Sequence, residues 1–256
     1  AICRAKLIGN QLVDVKLLYK AEGNSTKGQH FGSRLQFDNN GKLFFAIGDR
    51  GNRDKLPQDL TLDGGKIYRI NDDGSIPKNN PYADKEGYKP EVWSYGHRNQ
   101  QGLVVTKEGL VIAHEHGPKG GVELNIIQPG KNYGWPAITY GVDYSGAVIS
   151  PFTEHPDMEQ PVKYWVPSIA PSSMILYSGD MFPSLKNDLL ISALKPGDVR
   201  QLKFDEDEVV SESIIISEFG RIRHIAEAPD GSLLLLTDQR RKKGKLIRIS
   251  AVSEDS

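Results

Sequence analysis

The chain has 256 residues and a formal net charge of −1, a balance that gives no general attraction to nucleic acid or to an anionic membrane surface. Its 26 glycines and 15 prolines, with 38% hydrophobic residues, favour many short strands over long helices. Cys3 is the single cysteine, which excludes an intramolecular disulfide and an all-cysteine metal site, and no apolar stretch approaches the ~18 residues of a membrane span.

The first twenty residues predict two strands, residues 3–8 and 13–19, around a turn at Gly9 and Asn10. They lack the basic segment followed by an apolar run that begins a signal peptide. Because the chain opens directly on a strand, we expect missing sequence upstream of Ala1.

A weak repeat organises the rest of the chain. Each of four copies predicts an apolar strand, a turn, a more strongly apolar strand, a loop and a third strand. The predicted strands are residues 35–38, 42–48 and 66–71 in the first copy, 103–106, 110–114 and 123–128 in the second, 174–177, 188–193 and 199–204 in the third, and 225–228, 232–237 and 245–250 in the fourth. Units of this kind, roughly 40–70 residues apart, are typical of β-propeller blades.

The second strand of each copy is apolar on both faces, in the segments LFFAIG, LVIAHE, LLISAL and LLLLTD. Such strands must be buried on both sides, as inner strands are when blades stack. We therefore predict an all-β β-propeller with almost no helix, with about four blades and a partial blade in one domain over residues 1–256. The alternative is a β-sandwich with irregular spacing.

Two long segments, residues 72–92 and 132–165, carry Pro, Gly, Asn and Tyr in place of strand alternation. Long loops on one face of a rigid scaffold are where binding sites are built. We expect the functional residues on the loops that leave the inner strands and line the propeller funnel.

His30 lies just before the first strand of copy one, and Asp49 ends the second strand of the same copy. Pairing of these strands would bring the carboxylate to the imidazole, which is the arrangement of a general base near neutral pH. The alternative is an incidental loop histidine.

Arg98 and Asn99 precede the first strand of copy two, at the place that His30 occupies in copy one. A charged fork beside an amide suits a ligand that bears carboxylate or carbonyl oxygens. Otherwise, Arg98 anchors its own loop to backbone carbonyls.

His114 and His116 share a face of a predicted strand, a pattern that suggests zinc, but no second cluster supplies a third ligand. Exposed carbonyls at Gly117 and Pro118 suit a calcium ion better, because calcium prefers oxygen ligands. Glu123, with nearby loop carbonyls such as that of Tyr133, could hold a further ion.

Three cations follow in the last two copies. Lys195 ends an inner strand, and Arg221 and Arg223 share one face of another. A ring of cations converging on a funnel would bind a polyanionic ligand. The alternative is a set of solvated surface side chains.

Together these motifs resemble the glucose/sorbosone dehydrogenase family, especially its bacterial aldose sugar dehydrogenases, which depend on pyrroloquinoline quinone (PQQ). The resemblance runs from about Gln11 to the C-terminus. The motifs that carry it, in family order and spacing, are HFGSRL at residues 30–35, WSYGHRN at 93–99, EHGP at 115–118, NYGWP at 132–136 and RIR at 221–223.

The resemblance implies a role for each catalytic candidate. His30 matches the general base that takes the proton from the C1 hydroxyl of an aldose, and Asp49 matches the carboxylate that orients it. Arg98 and Asn99 match residues at the quinone oxygens. The implied reaction is oxidation of the sugar to a lactone by hydride transfer to PQQ, and the electrons then pass to an external acceptor.

The resemblance also implies binding roles. The carbonyls of Gly117 and Pro118 would hold the catalytic Ca²⁺, which polarises the quinone, and Glu123 and Tyr133 would hold a second, structural Ca²⁺. The side chains expected around PQQ are Lys195, Arg221 and Arg223, which face its carboxylates, and Tyr144, which lines its pocket.

Full-length members have a six-bladed propeller with roughly a hundred more residues upstream, enough for one to two blades. The resemblance therefore implies that this chain is an N-terminally truncated propeller from a periplasmic or secreted protein. Its ring would be open, and pairing between chains in a homo-oligomer could close it.

Two other functions fit the same scaffold. One is a non-catalytic binding module and the other is a Ca²⁺-dependent hydrolase of the lactonase type.

Overall fold

The computed structural model describes residues 1–239 and 243–252 and confirms the predicted all-β class. Within these two ranges, the one helical element is a short 3₁₀ turn, Pro183–Leu185. No helix in the described part of the chain is long and apolar enough to cross a membrane.

The strands form an N-terminal hairpin followed by four antiparallel sheets that are consecutive along the chain. The hairpin pairs β1 (Ile2–Ile8) with β2 (Gln11–Tyr19). Blade one orders β3 (Leu35–Phe37), β4 (Lys42–Ile47), β5 (Lys66–Asn71) and β6 (Val92–Tyr95). Blade two orders β7 (Gln100–Val105), β8 (Val111–Glu115), β10 (Val122–Ile127) and β12 (Lys163–Trp165), and the short strands β9 (Lys119–Gly120) and β11 (Gly141–Val142) pair beside it.

Blade three orders β13 (Pro171–Leu176), β14 (Leu189–Ala193), β15 (Val199–Asp205) and β16 (Glu208–Ile216). Blade four orders β17 (Ile222–Glu227), β18 (Leu233–Thr237) and β19 (Leu246–Ile249). The first strands of successive blades contact one another, β3 with β7, β7 with β13 and β13 with β17. They therefore lie side by side around one axis, as in a propeller.

Three of the four buried apolar clusters in the described residues lie between neighbouring blades, and the fourth joins blade one to Tyr19 of the hairpin. One cluster joins Phe44 of blade one to Val111 of blade two, another joins Leu124 of blade two to Ile191 of blade three, and a third joins Leu190 to Ile225 of blade four. Burying a Leu, Ile or Phe side chain contributes about 1.5–3 kcal/mol. Stacking of neighbouring blades is therefore what holds the loops at their ends in place.

The second strands β4, β8 and β14 are buried on both faces, as predicted, but β18 is not. Leu233 and Leu235 pack against blade three, whereas Leu236 on the opposite face is 44% exposed. The prediction of two buried faces was wrong for this strand, because no further blade of the described chain packs against its second face.

The first strands of blades two, three and four begin three residues earlier than the sequence suggested. Each has an irregularity in its register near its start, between Gln100 and Gly102, between Pro171 and Ser173, and between Ile222 and His224. A bulge interrupts the alternation of apolar and polar side chains and bends the strand. Asn99 directly precedes β7 and Arg223 lies within the irregularity of β17, so two candidate site residues border these bulges.

Candidate active site

The blades bring the predicted site residues to one end of the molecule. In each blade, this end carries the start of the first strand and the end of the second, because the two strands are antiparallel neighbours. Blade one places His30 and Asp49 there, and blade two places Arg98 opposite Gly117. Blade three contributes Lys195, and blade four contributes Arg221 and Arg223.

His30 and Asp49 form a direct pair, as the sequence predicted, with His30 Nδ1 2.6 Å from Asp49 Oδ1. Glycine makes this approach possible, since a Cβ on Gly48 would lie 2.3 Å from the His30 carbonyl oxygen. His30 itself has a φ of 52°, in the left-handed region. The backbone at His30 therefore passes close to the end of β4, and the imidazole reaches Asp49.

Asp49 is 1% exposed and holds its charge through hydrogen bonds. Burial acts to raise its pKa, but the bonds from His30, from the Gly51 amide (2.7 Å) and from Trp135 Nε1 (2.8 Å) hold the pKa of Asp49 below its ordinary value. An ionised Asp49 accepts from Nδ1 of His30, and this leaves Nε2 as the ring nitrogen able to accept a proton.

Arg98 is buried and bridges the ends of two strands. Its Nη1 donates to the carbonyls of His116 (2.9 Å) and Gly117 (2.8 Å), and its guanidinium carbon lies 5.2 Å from the centre of the Trp135 ring. Burial lowers the pKa of Arg98, while the Tyr144 hydroxyl and Asp49 act to raise it. A guanidinium remains charged at neutral pH under such a shift.

Glu115 fixes the loop that carries Arg98, a role that the sequence did not reveal. Its Oε2 accepts from the backbone amides of Arg98 and Asn99, and its Oε1 lies 2.9 Å from His97 Nδ1. His97 Nε2 is in turn 2.9 Å from Ser94 Oγ. The Ser–His–Glu array resembles a hydrolase triad, but Ser94 and His97 are fully buried, so it acts as a brace.

Asn99 joins blade two to the loop of blade one. Its Oδ1 accepts from the Gly32 amide at 3.2 Å and from Gln101 Nε2 at 3.0 Å. The amide that was expected to face a ligand therefore also ties the His30 loop to the Arg98 loop.

A cavity of about 310 Å³ opens between these loops, close to the lower end of the ~300–1,000 Å³ typical of ligand sites. Its lining includes His30, Asp49, Arg98, Trp135 and Tyr144, together with Lys27, Gln29, Gly51, Arg53, Asp54 and Asp143. Four of the residues predicted from the sequence, His30, Asp49, Arg98 and Tyr144, thus line one cavity.

Tyr144 is 73% exposed and stands at the rim of this cavity. Arg53 holds the Tyr144 turn, because its Nη1 lies 2.8 Å from Asp143 Oδ2. Arg53 was missed in the sequence, since its partner is 90 residues away.

The three distal cations form a second group. Arg223 Nη2 lies 2.7 Å from Asp238 Oδ2, Arg221 Nη2 lies 3.7 Å from the same oxygen, and Arg221 Nη1 donates to the carbonyl of Leu194 at 3.3 Å. Lys195, next to Leu194, is exposed. None of these three cations lines the His30 cavity within the part of the chain that is described.

His116 feels charges from both groups. Burial lowers its pKa to about 4, the carbonyl of Pro171 acts to raise it, and the charges of Arg98, Arg223 and His30 lower it further. A side chain on which all three charges act lies near each of them. Of the three distal cations, Arg223 is therefore near His116, whose carbonyl accepts from Arg98.

Residues of the two predicted cation sites line one small cavity. The Gly117 carbonyl already accepts from Arg98, so an ion there would share its ligand with a guanidinium. Glu123 lines the same small cavity as Gly117, together with Tyr133 and Glu115, and burial, followed by the charge of Glu115, raises the pKa of Glu123 to about 8. No cation pairs with Glu123 among the described residues, and a bound ion would stabilise its ionised form.

No group of three or more His, Cys, Asp or Glu side chains gathers into a metal site in the described ranges. An ion here would therefore rely on backbone oxygens, as calcium does. His114 and His116 do not act as a pair, since His114 packs inside blade two, with its Nε2 2.3 Å from where a Cβ on Gly102 would stand, and His116 Nε2 lies 2.6 Å from the Pro171 carbonyl.

Residues 1–248 match the Glucose / Sorbosone dehydrogenase family. The chain belongs to this family. It is 40% identical over 245 residues to "Aldose sugar dehydrogenase YliI" of Escherichia coli, a match that covers 94% of this chain and 65% of that protein. The chain spans 63% and 65% of the lengths of two curated relatives that it matches.

Solved structures of similar proteins confirm the propeller fold. A crystal structure of a glucose dehydrogenase shares 40% identity with a TM-score of 0.92, covering 98% of this chain and 73% of its own. The PQQ-bound form of an aldose sugar dehydrogenase from Streptomyces coelicolor shares 27% identity with a TM-score of 0.74, covering 96% of this chain and 68% of its own. The resemblance carried by the five sequence motifs is therefore confirmed at the level of family and fold.

Proposed function

We propose that the protein to which this chain belongs oxidises the C1 hydroxyl of aldose sugars to lactones, with PQQ as cofactor. The observation that carries the proposal is the His30–Asp49 pair, which lines the same cavity as the buried Arg98. Membership of the family and the similarity to a PQQ-bound aldose sugar dehydrogenase support it.

His30 is the general base of the proposed reaction. Asp49 accepts from Nδ1, so the lone pair of Nε2 is available for the proton of the C1 hydroxyl. The carboxylate then stabilises the imidazolium that forms. General-base catalysis of this kind accounts for about 10²–10⁴ in rate.

Arg98 supplies positive charge in the same cavity. Its guanidinium is held by two backbone carbonyls and is therefore oriented before a reactant binds. Charge that is already oriented stabilises a developing oxyanion without reorganisation. When bound, PQQ supplies the ortho-quinone that accepts the hydride from C1, and Ca²⁺ supplies a Lewis acid beside it.

The remaining candidate residues would bind and position the cofactor and the calcium ions. Lys195, Arg221 and Arg223 would face the carboxylates of PQQ, Asn99 its quinone oxygens, and Tyr144 the rim of its pocket. The carbonyls of Gly117 and Pro118 would hold the catalytic Ca²⁺, and Glu123 with Tyr133 the structural one. In this proposal an external acceptor reoxidises the cofactor, and the protein acts in the periplasm or outside the cell.

Reconstitution tests the proposal. The purified protein is mixed with PQQ and Ca²⁺, PQQ binding is measured by quenching of tryptophan fluorescence, and dye reduction is followed with several aldoses. We expect binding at micromolar PQQ and reduction that depends on the sugar. Absence of binding at that concentration contradicts the proposal, whereas binding without turnover favours the non-catalytic module.

A further inference from the structure

Trp135 is fixed by its own backbone. Its amide donates to the carbonyl of Gly96 at 2.8 Å, and its carbonyl accepts from Gln58 Nε2 at 2.8 Å. Gly96 belongs to the loop that presents Arg98, and Gln58 to the connection between β4 and β5. The residue is 6% exposed, so the indole has one set position relative to blades one and two.

The indole contacts two members of the proposed catalytic group at once. Its Nε1 donates to Asp49 Oδ2 at 2.8 Å, and the guanidinium carbon of Arg98 lies 5.2 Å from its ring centre. That distance is within the range of a cation–π contact. One side chain thus touches both the carboxylate that orients His30 and the guanidinium of Arg98.

The bond from Trp135 completes the hydrogen bonding of Asp49. Oδ1 of Asp49 already pairs with His30 and accepts from the Gly51 amide. Within the described part of the chain, Oδ2 accepts from Trp135 Nε1. Donors on both oxygens fix the plane of the carboxylate. The direction of the bond to His30 Nδ1 then follows, because the carboxylate cannot rotate without breaking the indole bond.

We infer that Trp135 is a positioning residue for the His30–Asp49 pair, acting through its indole N–H. The inference rests on the proposed function. The inference goes beyond that function because it assigns the orientation of the His30 base to Trp135. A purely structural tryptophan would contribute packing alone, and the loss of its N–H would leave the titration of His30 unchanged.

Several charged groups face His30, and the test must account for them. They are Asp49, Arg98, His116 and, around the cavity rim, Lys27, Arg53, Asp54, Asp143 and Tyr144. Trp135→Phe leaves all of these charges in place. It removes one donor from Asp49, so the carboxylate becomes more basic and holds the proton of His30 more tightly.

The chain offers a matched control in Trp93. Its indole packs against Phe44 and under Arg69, whose guanidinium carbon is 4.1 Å from the ring, but its buried Nε1 has no hydrogen-bond partner in the described residues. Trp93→Phe therefore removes the same atoms from a buried site without removing a hydrogen bond.

The test measures kcat/KM against pH for the reconstituted wild type and both variants. We expect Trp135→Phe to lose about fivefold to tenfold in kcat/KM, the loss typical of one hydrogen bond. The acidic limb should move to higher pH by about half to one unit, and Trp93→Phe should show neither change. An unmoved limb in Trp135→Phe, or an equal shift in Trp93→Phe, overturns the inference.

A second measurement needs neither turnover nor a variant that folds. In the wild-type protein without PQQ, the indole N–H resonances of Trp135 and Trp93 are followed by NMR through the titration of His30. We expect the resonance of Trp135 to move with His30 and that of Trp93 to stay, and a Trp135 resonance that ignores His30 overturns the inference. A wild type that oxidises no sugar contradicts the proposed function, and the titration still decides the role of Trp135.

Discussion

Arg223 and Asp238 form an ion pair with 2.7 Å between Nη2 and Oδ2, and Arg221 Nη2 lies 3.7 Å from the same oxygen. The two arginines proposed to bind an anionic cofactor thus share a carboxylate of the protein. Any carboxylate of a ligand must compete with Asp238. Because both arginines are partly exposed, this competition is weak and depends on salt.

Asp238→Asn should therefore strengthen binding of PQQ by about twofold to fivefold at low ionic strength, the range expected for one exposed ion pair. The gain should shrink as salt is added, because screening weakens the interaction. Fluorescence titrations at two salt concentrations measure it. Weaker binding in the variant would mean that Asp238 chiefly orients the arginines.

The overall fold was largely predictable from the sequence, because propeller blades repeat a local pattern. Apolar second strands and turn residues mark each copy, and the order of the sheets follows the order of the copies. The pairing of His30 with Asp49 was predictable for the same reason, since adjacent antiparallel strands bring both residues to one end of blade one. The early start of β7, β13 and β17 was not, since bulges break the alternation on which the prediction relied.

Contacts between blades were harder to predict. Trp135 and Asp49 are 86 residues apart, and the loop that carries Trp135 has no periodicity that indicates where its side chain lies. Asp238, the ion-pair partner of Arg223, could have been predicted as a residue of this end of the blade, because it follows β18 as Asp49 follows β4. The bonds of Glu115 to the amides of Arg98 and Asn99 could not have been predicted, since a sequence pattern does not distinguish one backbone amide from another.

Asp49→Asn should destabilise the protein at neutral pH and flatten its acid denaturation. The pKa of Asp49 lies below its ordinary value of 3.8, so its stabilising contribution is present above that value and is lost as pH falls through the lower, folded-state pKa. We expect a loss of about 1.5–3 kcal/mol at pH 7, the range for hydrogen bonds to a charged group. Urea denaturation at several pH values measures it.

The exposed ion pair of Arg4 with Asp72 provides a control for this prediction. Asp72→Asn also removes one carboxylate but should change stability by less than about 1 kcal/mol. Equal pH dependence in the wild type and Asp49→Asn would contradict the lowered pKa of Asp49, because this carboxyl would then titrate alike in the folded and unfolded protein.

Removal of Ca²⁺ should lower the thermal stability of the wild type, and Glu123→Gln should abolish most of that difference. Glu123 pairs with no cation in the described residues, so a bound ion would stabilise its carboxylate. Thermal melts with Ca²⁺ and with a chelator measure the effect. A variant that retains the full Ca²⁺ response would place the responsive ion elsewhere.

The central claim is that His30 removes the proton of the sugar hydroxyl, and His30→Gln tests it most directly. Glutamine keeps a polar side chain of similar size but is no base at neutral pH. In PQQ-reconstituted protein, we predict that His30→Gln binds PQQ as the wild type does and reduces dye with an aldose about 10²–10⁴-fold more slowly. Turnover within a few-fold of the wild type, with PQQ bound, would contradict the account.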